Sequence, residues 1–131
     1  MIAPSTCVVL IEDDQAMNYY HKRLFIKQGF ADEVLSYHSA LEALKGIQEL
    51  QNTAILYIFL DINMPQMDGW RFIEEFEKIK FSNEAQIKLF ALSSSLNPND
   101  SLKAKQNSKI SEYLSKPLTI DRIASIIKKF T

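Results

Sequence analysis

The sequence has few of the features that mark secreted or membrane proteins. Cys7 is the one cysteine among 131 residues, so no internal disulfide can form and a reducing compartment is expected. No segment approaches the roughly 18 consecutive apolar residues that a membrane span needs. Residues 1–6 lack the charged start and the apolar stretch of a secretory signal. We therefore expect a cytoplasmic protein with no membrane partner.

An excess of basic residues is also missing. The chain has 15 Lys and Arg against 16 Asp and Glu, which gives a formal net charge of -1. Nucleic-acid surfaces normally carry a basic excess on one face, so no nucleic-acid partner is expected. The length fits a single domain over residues 1–131, with a core from about 7 to 130, which is long enough to bury apolar side chains.

Strand-like and helix-like patterns alternate along the chain. Short apolar runs predict five strands, at residues 7–11, 33–37, 54–60, 87–92 and 110–114. Amphipathic segments predict helices over 15–28 and 69–80, and further helices that begin near residues 40, 98 and 120. Such alternation predicts an α/β fold in which a parallel sheet is covered by helices on both faces.

The first predicted helix carries aromatic and histidine side chains whose placement follows from its apolar spacing. Its inward stripe is predicted to contain Met17, Tyr20 and Leu24. Tyr19 is likewise interpreted as a core or boundary residue. His21 and His38 have no neighbouring nucleophile pattern and are predicted to be partly exposed.

Polar groups follow four of the predicted strands at the point where each strand ends. They are Glu12-Asp13-Asp14, Asp61, Ser93-Ser94-Ser95 and Ser115-Lys116. Right-handed crossovers place the C-terminal ends of parallel strands along one edge of the sheet. Ligands bind at that edge, where the strand order reverses. We therefore expect these groups to meet in one crevice.

The residue types in this crevice predict phosphoryl chemistry at Asp61. Several carboxylates close together repel one another, so one is protonated unless a cation lies between them. Oxygen ligands in an open site favour Mg²⁺. Lys116 would add an ammonium group and Ser93 a hydroxyl donor. Together these groups stabilise a transferring phosphoryl group, so Asp61 is predicted to be a nucleophile that forms an aspartyl phosphate.

Four segments, in this order along the chain, resemble the receiver domain of two-component response regulators. They are residues 11–14, 60–69, 91–95 and 113–118. The resemblance extends from about Val8 to Phe130, and the pattern Asp-x-x-Met-Pro-x-Met-Asp-Gly at 61–69 is its most specific part. It implies a flavodoxin-like (βα)5 three-layer sandwich with strand order 2-1-3-4-5, Mg²⁺ as cofactor, and phosphorylation by a histidine kinase.

The resemblance also implies a role for each residue that would hold the metal. Asp61 corresponds to the phosphoacceptor, which is also a metal ligand, and Asp13 to the direct metal ligand. Asn63 would contribute its backbone carbonyl. Glu12 or Asp14 would act on the metal through water, and the sequence leaves this choice open.

Three further residues correspond to the groups that sense the phosphoryl group in this family. Lys116 stands at the phosphate-binding lysine and Tyr113 at the switch aromatic. Ser93 stands at the switch hydroxyl, a position that is usually Thr in the family, and Ser94 is the alternative one position later.

The function expected from the resemblance is a signalling switch. A sensor histidine kinase or a phosphotransfer protein would phosphorylate Asp61, with autophosphorylation from small phosphodonors and slow autodephosphorylation as side activities. A downstream protein would bind the face made by the fourth helix, fifth strand and fifth helix, and the chain would be a monomer or weak dimer. The alternative is a pseudo-receiver that binds proteins without phosphorylation. A phosphatase of the haloacid dehalogenase class would need an acid in place of Asn63 and a cap domain.

Overall fold

Strands and helices alternate throughout the computed structural model, which describes residues 6–29, 31–50, 55–79, 86–94 and 97–130. The strands of these segments are β1 (Thr6–Ile11), β2 (Glu33–Tyr37), β3 (Ile55–Asp61), β4 (Gln86–Ser93) and β5 (Ile110–Ser115). The helices are α1 (Gln15–Gln28), α2 (Ala40–Gln48), α3 (Gly69–Phe76), α4 (Pro98–Gln106) and α5 (Ile120–Phe130). Three positions that the sequence analysis assigned, Ala54, Lys80 and Ser95, lie outside the described residues.

All five strands form one parallel sheet in the order β2-β1-β3-β4-β5. The predicted flavodoxin-like fold and its strand order are therefore confirmed. The strand order reverses at β1 and β3, which are hydrogen-bonded neighbours from Thr6 and Ile55 to Ile11 and Leu60. This reversal puts the end of β1 beside the end of β3.

The apolar core lies in two layers, one on each face of the sheet. Side chains of β1 alternate between the layers, because successive residues of a strand point to opposite faces. Cys7, Val9 and Ile11 belong to the layer that packs against α2 and α3. Val8 and Leu10 belong to the layer that packs against α1 and α5. The two layers cover both faces of the central strands, as the continuous apolar run of β3 predicts.

Helix α1 buries Leu24, as its apolar stripe predicts, but the rest of its inner face differs from the prediction. Tyr19 and Tyr20 are 62% and 47% exposed, so their interpretation as core or boundary residues is wrong. Asn18 and His21 are both 2% exposed, so the predicted exposure of His21 is also wrong. The polar residues lie inside because each one hydrogen-bonds to backbone from another part of the chain, which offsets the cost of burying it.

Helix α3 is shorter than its apolar pattern predicts. It begins at Gly69, where the Asp68 side chain accepts a hydrogen bond from the backbone N–H of Arg71 at 2.9 Å. The helix ends at Phe76, and residues 77–78 form a turn in place of the predicted continuation. None of the helices in the described residues is both long and apolar enough to span a membrane.

Candidate functional site

The predicted polar groups lie at the C-terminal edge of the sheet, on four different strand ends. Glu12 directly follows β1, Asp61 ends β3, Ser93 ends β4 and Lys116 directly follows β5. The register brings them together, because Asp61 is paired with Leu92 and Ser93 is paired with Ser115 across neighbouring strands. Strand ends from distant parts of the sequence thus form one site.

Three acidic side chains meet in this site. The carboxylate oxygens of Glu12, Asp13 and Asp61 lie within 4.8 Å of one another. Glu12 and Asp61 are 4% and 1% exposed, whereas Asp13 is open to solvent. Asp14 has a different role in the structure, since its carboxylate accepts a hydrogen bond from the backbone N–H of Met17 at 3.1 Å and caps α1.

The ammonium group of Lys116 lies between the two buried acids. Its Nζ donates a hydrogen bond to Glu12 Oε1 at 2.9 Å and lies 3.3 Å from Asp61 Oδ2. Burial raises the pKa of the Glu12 carboxyl to about 7; the hydrogen bond from Lys116 acts in the opposite direction, and the Asp61 carboxylate adds to the rise. Burial acts to lower the pKa of Lys116, but its two carboxylate partners outweigh that effect and raise it. The lysine therefore stays charged.

The donor set fits a hard divalent cation. Carboxylate oxygens are the ligands that Mg²⁺ prefers, and a site that is open on one side leaves room for the waters that Mg²⁺ retains. The site contains one ammonium group, that of Lys116, beside the two buried carboxylates of Glu12 and Asp61, and burial is the main cause of the raised pKa of Glu12. A cation bound among Glu12, Asp13 and Asp61 would supply the missing positive charge.

The segment after Asp61 folds back against the end of β3. The backbone N–H of Asn63 donates to Asp61 Oδ1 at 3.1 Å, and the N–H of Gly69 donates to the carbonyl of Ile62 at 2.9 Å. A Cβ atom at Gly69 would lie 2.8 Å from Ile62 Cα and 3.1 Å from the carbonyl oxygen of Asp61. Glycine at this position therefore lets α3 begin close against the backbone of Asp61 and Ile62.

The two candidate switch serines differ in their surroundings. Ser93 is fully buried, and its Oγ lies 3.5 Å from Asn63 Nδ2. Its backbone carbonyl accepts the N–H of Lys116 at 2.8 Å. Ser94 is exposed. Ser93 is thus the serine that contacts both the segment after Asp61 and the loop that carries Lys116.

Tyr113 lies on β5, where it is paired with Ala91 of β4. Its ring is half-buried against the core layer of α2 and α3, and its hydroxyl is buried without a hydrogen-bond partner among the residues that the structure describes. A buried phenol hydroxyl without a hydrogen-bond partner costs free energy. Strand β4 lies between Tyr113 on β5 and Asp61 on β3.

A tryptophan joins α3 to α4. The indole Nε1 of Trp70 donates to Asp100 Oδ1 at 3.3 Å, and Lys103 Nζ lies 5.6 Å from the centroid of the ring. Ala104 is the buried residue of α4, while Leu102 is 56% exposed. Trp70 therefore links α3 to α4 through one hydrogen bond and one cation–π contact.

Two residues near the site were missed by the sequence analysis. Asn18 Nδ2 donates to the carbonyl oxygens of Glu12 and Tyr37, both at 3.1 Å. His21 Nε2 accepts the backbone N–H of Leu118 at 2.9 Å. Burial lowers the pKa of His21 to about 4, and the positive charge of Lys116 contributes to the shift. Apolar periodicity could not have found either residue, because both are polar side chains on the buried face of α1.

Comparison with known proteins gives a consistent result. The family model described as the response regulator receiver domain matches residues 8–128. A two-component response regulator from Cytophaga hutchinsonii is 30% identical, with a TM-score of 0.82 and 97% of each chain covered. A response regulator receiver protein from Dyadobacter fermentans is 25% identical, with a TM-score of 0.84 and coverage of 95% of this chain and 97% of that one.

Curated relatives include much longer proteins. The sensor histidine kinase CheAY of Helicobacter pylori is 28% identical over 130 residues, which are 97% of this chain and 15% of that protein. The hybrid signal transduction histidine kinase L of Dictyostelium discoideum is 34% identical over 125 residues, which are 93% of this chain and 7% of that protein. The chain therefore matches only a small part of the length of each of these kinases.

Proposed function

Because the chain belongs to the response regulator receiver domain family, we propose that it is a phosphoacceptor switch in which Asp61 receives a phosphoryl group. One observation carries this proposal: Asp61 is a buried strand-end carboxylate with an ammonium group 3.3 Å away and two further acids beside it. A carboxylate with a cation on one side and a metal-binding cluster on the other is arranged for phosphoryl transfer.

In this proposal Asp13 and Asp61 would hold Mg²⁺ directly from their side chains, Asn63 would contribute its backbone carbonyl, and Glu12 would act through water. Bound there, Mg²⁺ would neutralise part of the charge on the transferring phosphoryl oxygens. Asp13 is the acid of the cluster that faces solvent, which suits a direct ligand for an entering ion. Asp14 caps α1, so we assign to Glu12 the role of acting on the metal through water.

The covalent step uses groups of this chain that lie within reach of each other. A carboxylate oxygen of Asp61 attacks the phosphorus of the donor, the bond from phosphorus to the donor's nitrogen or oxygen breaks, and the leaving group keeps the electron pair. Lys116 remains protonated and balances negative charge beside Asp61. Hydrolysis of the aspartyl phosphate by water restores the carboxylate.

The donor we propose is a histidine kinase or a phosphotransfer protein, and the reaction would occur in the cytoplasm. Two of the relatives described above are named as histidine kinases, and this chain resembles a short part of each. A pseudo-receiver that binds partners without phosphorylation is the competing function. The presence of Asp61, Lys116 and Asp13 in one site favours the phosphorylated switch.

The response to phosphorylation would pass through Ser93 and Lys116. They lie on different strand ends, and a phosphoryl group on Asp61 that contacts both would favour one of two arrangements of the neighbouring elements. Tyr113, whose hydroxyl has no partner among the described residues, lies on β5, which is part of the face made by α4, β5 and α5. We propose that this face binds the downstream protein.

The metal can be tested by thermal unfolding. We expect Mg²⁺ at about ten times its Kd to stabilise the fold by about 1.4 kcal/mol relative to EDTA, because a ligand that binds only the folded state acts by mass action. Asp13→Asn should remove most of this gain. Asp14→Asn is the matched control, because Asn also caps helices, and it should keep the gain.

Equal melting temperatures in EDTA and in excess Mg²⁺ would rule out the metal site. A loss of the gain in Asp14→Asn instead of Asp13→Asn would show that the metal ligands are assigned to the wrong acids.

The switch hydroxyl can be tested with beryllofluoride, which mimics a phosphoryl group on a carboxylate. Ser93→Ala should still bind beryllofluoride at Asp61 but should lose most of the backbone amide shifts at Tyr113 and along α4, because the contact that distinguishes the two states is removed. Ser94→Ala is the control and should keep the full pattern. The reverse outcome would identify Ser94 as the switch hydroxyl.

A further inference from the structure

The loop from Lys116 to Leu118 carries the lysine into the site, and both of its backbone N–H groups are hydrogen-bonded to other elements. The N–H of Lys116 donates to the carbonyl of Ser93 at 2.8 Å. The N–H of Leu118 donates to His21 Nε2 at 2.9 Å, across a sequence separation of 97 residues. Pro117 lies between the two points and has no N–H to donate. The second point of attachment is thus a side chain of α1.

The imidazole of His21 is suited to this role only in one form. Because Nε2 accepts a hydrogen bond, the ring proton must be on Nδ1. His21 is 2% exposed, and its low pKa keeps the ring neutral at pH 7. A protonated ring could not accept the N–H of Leu118. The neutral ring is therefore the form of His21 that can accept the hydrogen bond from the loop.

One turn earlier on α1, Asn18 is a second buried polar side chain, and it contacts the segment that carries Glu12. Asn18 donates to the carbonyl of Glu12, which lies in the segment between β1 and α1. Glu12 and Lys116 are joined by a 2.9 Å ion pair. The inner face of α1 therefore contacts both segments that supply this pair, one through Asn18 and the other through His21.

We propose that His21 is a positioning residue for Lys116: through Leu118 it fixes the loop so that the ammonium lies beside Asp61 and Glu12. The inference rests on the phosphoacceptor function proposed above. Lys116 has a long, flexible side chain, so the position of its backbone decides how often the ammonium occupies the place where a phosphoryl group would meet it. Loss of the His21 contact should therefore weaken binding at the phosphoryl position and spare the metal.

The test compares two affinities in the unmodified chain and in two variants of His21. His21→Leu keeps much of the volume but has no acceptor for the Leu118 N–H, and His21→Gln can place its amide oxygen near the position of Nε2. We expect His21→Leu to weaken the binding of beryllofluoride at saturating Mg²⁺ by about tenfold, because a small misplacement of a charged group is costly. Mg²⁺ affinity without beryllofluoride should stay within about twofold. His21→Gln should recover most of the loss.

Two controls separate positioning from general destabilisation. Ile47→Val removes a methylene group from the core layer on the opposite face of the sheet, which contains no residue of this loop, and it should leave both affinities unchanged. In a Lys116→Ala background, His21→Leu should cause no further loss of beryllofluoride affinity, because the group that it positions is absent.

The ¹⁵N spectrum of His21 in the unmodified chain gives a measurement that does not depend on any variant. We expect Nδ1 to carry the proton and Nε2 to couple to the Leu118 amide across the hydrogen bond. A proton on Nε2 would overturn the inference. If His21→Leu does not fold, His21→Gln can be compared with His21→Asn, whose shorter side chain cannot reach Leu118. The inference requires that His21→Asn binds beryllofluoride more weakly than His21→Gln.

The outcomes also distinguish this inference from the proposed function. If the unmodified chain does not bind beryllofluoride with Mg²⁺, the phosphoacceptor function fails and the inference fails with it. If the unmodified chain binds and His21→Leu binds equally well, only the role of His21 is overturned.

Discussion

Incubation with acetyl phosphate and Mg²⁺ should add one phosphoryl group to the unmodified chain and none to Asp61→Asn. The substitution replaces a carboxylate by a neutral amide of nearly the same shape, so it removes the nucleophile and leaves the packing around this buried residue in place. Intact-mass analysis measures the adduct directly. Cleavage of the adduct by hydroxylamine would identify it as an acyl phosphate.

Asp68→Asn provides the matched control for this experiment. Asp68 lies in the same segment as Asp61 and caps α3, which Asn can also do, so this variant should be phosphorylated like the unmodified chain. An adduct on Asp61→Asn would show that another residue is the acceptor. The absence of an adduct on the unmodified chain, together with no response to beryllofluoride, would support the pseudo-receiver function.

Lys116→Met should lower the free energy of unfolding by roughly 3 kcal/mol in the absence of Mg²⁺, because removal of one partner from a buried ion pair leaves the other charge uncompensated. Two carboxylates, Glu12 and Asp61, depend on this ammonium, and their side chains are 5% and 2% exposed. Methionine keeps most of the length of the lysine, so the effect reports mainly on charge. Urea unfolding followed by circular dichroism gives the measurement.

The chain contains a second lysine whose ion pair has the same length. Lys129 Nζ lies 2.9 Å from Glu112 Oε1, but the two side chains are 61% and 26% exposed. Lys129→Met should therefore cost no more than about 0.5 kcal/mol, since water screens an exposed pair. If the two variants lost the same free energy of unfolding, burial would not be the reason why the Lys116 ion pair contributes to stability.

The sequence was sufficient to predict the sheet and the residues at its functional edge. Strand periodicity and the polar groups at four strand ends are local features of the sequence. In a parallel sheet the C-terminal strand ends lie along one edge, so these groups are expected to meet there. Asp61, Glu12 and Lys116 could be brought together on that basis alone, although they are far apart in the chain.

The face of α1 could not be predicted in the same way. Apolar spacing predicted that Tyr20 points inward. Because this method counts only apolar residues as buried, it also predicted that the polar side chains of α1 are exposed. Asn18 and His21 are buried because their partners are the backbone of Glu12, Tyr37 and Leu118, which come from other elements. Such partners are visible only once the strands are in register, so the inner face of this helix depends on tertiary structure.

Gly46 in α2 is a second residue whose role could not be predicted from the sequence alone. Helix propensity assigns glycine in a helix interior a cost of about 1 kcal/mol relative to alanine. In the structure the ring of Tyr37 lies against this glycine, and a Cβ atom there would overlap the phenol. The residue that weakens α2 as an isolated helix is therefore the one that allows β2 and α2 to pack closely.

The contact between Trp70 and α4 gives the chain a built-in optical signal. Trp70 is the one tryptophan in the sequence, so its emission comes from a single place, the contact between α3 and α4. The intensity and wavelength of indole fluorescence depend on the hydrogen bond at Nε1 and on charges near the ring, which here are supplied by Asp100 and Lys103 of α4. A change in the position of α4 can therefore be followed in real time on the unmodified protein, without an attached dye.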